Sequence, residues 1–68
     1  MSMWTLGSDG IWRATYNGFE LAVWKGGKAR PEQHYYQVAK GGTTYAEDCE
    51  DVNDGQSKAV ARVDSGVW

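Results

Sequence analysis

His34, Cys49 and the run Glu47-Asp48-Cys49-Glu50-Asp51-Val52-Asn53-Asp54 hold most of the side chains that could do chemistry in this 68-residue chain. A nucleophile–histidine–acid arrangement has one histidine to draw on, with Ser8, Ser57, Ser65 or Cys49 as partner, and no spacing singles one of them out. A semi-exposed ring at the start of a strand is the plainer reading of His34. Cys49 alternates with Tyr45 toward the expected core, where a free cysteine behaves as a small hydrophobe. Its acidic neighbours Asp48 and Glu50 disfavour a thiolate. A single cysteine forms no internal disulfide, and with one histidine it cannot complete a four-ligand zinc site. No catalytic residue, metal site or cofactor is expected.

The acidic run has three readings. Carboxylates in the first turn of a helix cap exposed amides and favour the positive end of the helix dipole. Asp48, Glu50, Asp54 and Gly55 suggest a calcium loop, but the D-x-D-x-D-G order and a closing bidentate Glu are absent. Glu47, Asp48, Glu50, Asp51 and Asp54 also suit an acidic binding patch, because dense carboxylates complement a basic groove and steer association. Five of the nine acids fall in these eight residues. Residues 1–44 carry five bases against three acids, a net of +2, and residues 45–68 carry six acids against two bases, a net of −4. The overall charge of −2 hides that asymmetry.

The elements that must position these groups begin with a hairpin. Asn17-Gly18 sits between two alternating runs, Ile11–Tyr16 and Phe19–Lys25, and a type I′ turn needs positive φ at both central residues. A two-residue loop then pairs Tyr16 with Phe19, Ala14 with Leu21 and Trp12 with Val23, all on one face. Ile11, Arg13, Thr15, Glu20, Ala22 and Trp24 take the other. Gly26, Gly27 and Pro31 punctuate a basic loop over 25–32. His34–Lys40 resumes strand character, turning at Gly41-Gly42 into Thr43–Glu47 and on toward Cys49. On that last strand Glu47 is expected near an edge that water reaches. Val52, Gln56, Ala59, Val60 and Val63 recur with helical period. Asp51 or Asn53 can cap that helix and Gly66 can end it, while Gly55 is a flaw that makes the first turn fray or start late.

The expected fold is α+β: one domain over 1–68, a small antiparallel β-meander of three to four strands with a C-terminal helix packed on one face. Residues 1–9 and 65–68 are terminal segments of less definite structure. The helix covers the face bearing Trp12 and Leu21. Ile11, Arg13, Trp24, Tyr35 and Gln37 then form an outer sheet face with no core to explain them. Three uses of that face are open: cover by Trp4 and Trp68 or by a second copy, contact with a protein, and base stacking beside the basic 25–30 loop of Lys25, Lys28 and Arg30.

The run G-x-W-x-A-x-x-N-G-F-x-L-x-V at Gly10–Val23, followed by the aromatic strand Tyr35–Val38 and a short helix, resembles small uncharacterised proteins of phages, prophages and other mobile elements. The resemblance spans about residues 10–63, includes host modulators and anti-CRISPR inhibitors, and carries over no catalytic residue. It implies a non-enzymatic module that binds a protein target, such as a nucleic-acid-binding protein complex, through the acidic patch or the outer face. Direct nucleic-acid binding through the outer face and the 25–30 loop is the alternative, disfavoured by the negative charge. A homodimer is also compatible with the exposed face. The opening residues MSMWTLGSDG show neither a basic leader nor an apolar core, so a cytoplasmic protein without membrane contact is expected.

Overall fold

The computed structural model describes residues 3–26 and 30–66. Alternating strands and tight turns produce a five-stranded antiparallel sheet in the order β1-β2-β3-β4-β5. The strands are β1 Thr5–Leu6, β2 Trp12–Tyr16, β3 Phe19–Lys25, β4 His34–Lys40 and β5 Thr43–Cys49, followed by α1 Val52–Ser65. The sheet therefore has five strands where three to four were expected. The addition comes from the N-terminal segment, where Thr5 pairs with Arg13 and Leu6 with Trp12. A two-residue strand of mixed polarity offers too short an alternation to be recognised in sequence.

Turn chemistry sets the register. Asn17 and Gly18 take φ of 51° and 80°, and the expected pairs Tyr16–Phe19, Ala14–Leu21 and Trp12–Val23 form. Gly41-Gly42 likewise closes a two-residue loop, leaving Lys40 opposite Thr43 and Val38 opposite Tyr45. Leu21, Val23, Tyr36, Val38 and Cys49 are buried on the inner face beneath Ala59 and Val63 of α1. Each fully buried aliphatic side chain contributes about 1.5–3 kcal/mol. That matters in a chain whose size leaves a thin stability margin.

The helix begins at Val52, capped by Asp51, whose side chain accepts from the Asp54 N–H, and ends at Gly66 in the left-handed conformation. Gly55 is not a defect in it. It is buried, and a Cβ there would lie 2.8 Å from both Cys49 Sγ and Val23 Cγ1. Glycine gives the first turn its close approach to the sheet, so fraying from its low propensity is opposed by packing. Trp4 packs against the core on the helix side, beside Asn53, Gln56 and Val60. It therefore does not cover the outer face, and Trp68 lies outside the described residues. No helix among the described residues is long and apolar enough to cross a membrane.

Candidate functional site: the outer sheet face and the acidic turn

Strand alternation places Arg13, Trp24, Tyr35 and Gln37 on the face opposite α1. Trp24 pairs directly with Tyr35, and their rings stack with centroids 5.9 Å apart and an interplanar angle of 28°. Arg13, Ala22, Gln37 and Ala46 form a row across β2 to β5. The short side chains Ala22 and Ala46 keep this row low beside the aromatic pair. A shallow depression on the same face is lined by Met3, Thr5, Arg13, Ala22 and Gln37. Ile11, immediately before β2, is half-buried, and its N–H donates to Asp9 Oδ1 at 3.1 Å.

Asp9 controls the charge of this face. Both guanidinium nitrogens of Arg13 reach it, Nη1 to Oδ1 at 3.2 Å and Nη2 to Oδ2 at 2.9 Å. The Arg13 hydrogen bonds, with the Ile11 amide, hold the Asp9 carboxyl below its ordinary range, and Asp9 in turn raises Arg13. The sequence placed Arg13 on the outer face without its Asp9 partner. The Ser8-Asp9-Gly10 turn was the available signal, since an aspartate there readily accepts a backbone amide two residues on.

The basic loop is also partly neutralised. Lys25 Nζ lies 3.5 Å from Glu32. Arg30 is exposed, and Lys28 lies outside the described residues. Gln33 ties the loop to the sheet, its side-chain amide donating to the carbonyls of His34 and Cys49 at 3.3 and 3.2 Å.

The chain matches no family model, no curated protein and no solved structure. Function therefore rests on the geometry of these surfaces.

Within the acidic run Glu47, Asp48 and Glu50 line one depression with Lys58, while Asp51 and Asp54 hold the chain's own groups at the start of α1. Asp51 Oδ1 accepts from the Asp54 N–H at 2.7 Å. Asp54 Oδ2 accepts from the Glu50 N–H at 3.0 Å and pairs with Lys58 at 3.2 Å, contacts that lower its pKa in that order. Glu47 accepts from the hydroxyls of Tyr36 at 2.7 Å and Tyr45 at 2.9 Å, which lower its pKa. Burial, then the Glu47 hydrogen bond, pushes Tyr36 up to about 12. Arg62 lies over the Tyr45 ring, 3.6 Å from its centroid. This Tyr36–Glu47–Tyr45 cluster was missed in the sequence, although the hairpin register places Tyr36 opposite Glu47. Asp48 and Glu50 alone among the five form neither an ion pair nor a side-chain hydrogen bond with the described residues. Asp48 sits opposite Tyr35, at the end of the Trp24–Tyr35 row.

Cys49 is 5% exposed, and burial, followed by the Asp54 charge, raises its thiol pKa. His34 is half-buried, and its Nδ1 is buried without a hydrogen-bond partner. No serine, thiol or carboxylate among the described residues hydrogen-bonds this ring. No group of three or more His, Cys, Asp or Glu among the described residues is arranged to hold a metal ion.

Proposed function

We propose that this chain is a small non-enzymatic protein-binding module, an inhibitor or modulator of the phage or mobile-element kind, that docks its target through the outer sheet face. The observation that carries the reading is the stacked Trp24–Tyr35 pair on a sheet face that no helix or strand of the described residues covers. Trp and Tyr are the side chains that most often anchor protein interfaces, and low neighbours such as Ala22 and Ala46 let a partner approach them closely. Asp9 cancels Arg13, and Glu20 and Asp48 leave the face net negative, which favours a protein over a polyanion. Asp48 at the end of the aromatic row supplies a carboxylate for a basic group at the rim.

Affinity capture from a bacterial lysate tests this, run in parallel with Trp24→Ala and Tyr35→Ala and with nuclease treatment. The expected result is a defined protein that survives nuclease and is lost from both variants. Capture that is indifferent to both substitutions overturns the assignment of the face. Elution of only the chain itself makes the face a homodimer surface.

Nucleic-acid binding is the second reading, favoured by the same two rings, which offer stacking surfaces, and by the exposed Arg30.

A further inference from the structure

The two edges of the sheet differ. At one edge β1 is a two-residue strand; at the other, β5 runs for seven residues with no described element beyond it. The two-residue loop makes Lys40–Thr43 a hydrogen-bonded pair, and such pairs alternate along an antiparallel ladder. Thr43, Tyr45, Glu47 and Cys49 therefore bond to β4. Thr44, Ala46 and Asp48 turn their N–H and C=O groups outward, and all three residues are exposed. An open edge of this kind is a template for an added strand.

The charge around the edge selects what adds. Glu47, Asp48 and Glu50 line a depression at the C-terminal end of β5 together with Glu32 and Lys58. Lys58 is paired with Asp54, and none of Glu47, Asp48 and Glu50 is in an ion pair with the described residues. A second copy paired antiparallel along β5 would set these carboxylates opposite its Thr43 and Thr44, which carry no positive charge, whereas a lysine- or arginine-bearing segment would neutralise them.

We propose that β5 accepts an extended basic peptide segment as a sixth strand, through the outward backbone groups of Thr44, Ala46 and Asp48 and the carboxylates of Asp48 and Glu50. Backbone pairing supplies affinity without sequence, and the carboxylates select positive charge. This edge adjoins the Trp24–Tyr35 face and shares Asp48 and Ala46 with it, but it binds through the outward backbone groups of β5 and not through the two rings.

The test is an amide NMR titration of the ¹⁵N-labelled chain with an acetylated nine-residue peptide alternating Lys with Thr and Val. A peptide with Glu in place of Lys serves as control. Saturable shifts at Thr44, Ala46 and Asp48 are expected with the Lys peptide, and at least about tenfold weaker binding with the Glu peptide. Ala46→Pro removes one outward N–H while leaving the β4 ladder intact, because proline is tolerated on an edge whose N–H faces solvent. It is expected to weaken Lys-peptide binding by about tenfold or more with the fold retained. Asp48→Lys/Glu50→Lys, which leaves the β5 backbone unaltered, is expected to reverse the preference in favour of the Glu peptide. The proposal is overturned if the two peptides bind wild type equally, if the charge reversal leaves the preference unchanged, or if the shifts fall on the outer face and vanish in Trp24→Ala. A β5-dependent dimer that excludes the peptide also overturns it.

Discussion

Gly55 meets Val23 where the helix crosses the sheet, so closely that a Cβ on the glycine would sit 2.8 Å from Val23 Cγ1. The same Cβ would lie 2.8 Å from Cys49 Sγ, and Val23 is fully buried. A buried valine is stiff about χ1 and has no free direction in which to yield. Helix propensity alone favours Ala over Gly by about 1 kcal/mol, while overpacking a tight contact costs about 1–3 kcal/mol. The contact is the larger effect. Gly55→Ala is expected to lower the stability measured by urea denaturation, despite its better propensity. Cys49→Ala removes one of the two clashing atoms, so the double variant should lose less than the sum of the singles. A stabilised Gly55→Ala would contradict the close approach.

Cys49 should be a slow thiol. It is buried, and burial and the Asp54 charge both raise its pKa. Modification by a disulfide reagent at pH 8 should be slower than in urea-unfolded protein by on the order of 10³-fold, since it requires opening of the fold. A folded-state rate equal to that of the unfolded thiol would place Cys49 outside the core.

The Tyr36–Glu47–Tyr45 cluster links stability to pH at both ends of the scale. The pKa of Glu47 is lowered in the folded state by the Tyr36 and Tyr45 hydrogen bonds. Its contribution is therefore complete above the unfolded value of 4.5 and is lost as pH falls below that, through the folded pKa. Tyr36 is raised from 10.0 to about 12, so its contribution is complete below pH 10 and is lost as pH rises toward 12. Urea midpoints of wild type and Glu47→Gln should differ at neutral pH and converge under acid. Tyr36→Phe should flatten the loss between pH 10 and 12. A Glu47→Gln difference that persists unchanged well below pH 4 would remove Glu47 as the linked group.

Nucleic-acid binding is separated from protein binding at Arg13. With Asp9 holding both of its guanidinium nitrogens, wild type is expected to give no salt-sensitive anisotropy change with a labelled oligonucleotide at physiological ionic strength. Asp9→Asn, which leaves Arg13 uncompensated, is the more sensitive arm and is also expected to give none. Binding at low salt that falls on Arg13→Ala or Trp24→Ala would transfer the outer face to the nucleic-acid reading.

Much of the fold was legible because local chemistry and hydrophobic pattern agreed. Asn17-Gly18 dictated a two-residue turn, and that turn put Trp12, Ala14, Tyr16, Phe19, Leu21 and Val23 on one face in the observed register. Asp51, Gly66 and the Val52–Val63 stripe placed the helix, because caps and helical period are local properties. The outward placement of Trp24 and Tyr35 followed from the same alternation.

What sequence did not contain were relations between residues distant along the chain, or between an element and a neighbour it cannot anticipate. The short strand Thr5–Leu6 exists only because β2 offers it an edge. Trp4 faces the helix because β1 pairing fixes which side it takes. Asp9 neutralises Arg13 because the Gly7–Gly10 turn returns it to the start of β2. Gly55 reads as a weakness by propensity, which sees only the helix backbone; tertiary packing makes it the point where the helix touches Val23 and Cys49. Sequence alone determined the hairpin, its register and the helix, since these depend on neighbours a few residues away. Tertiary structure alone decided which charges are spent internally and which face and edge stay open, since those depend on where the chain returns.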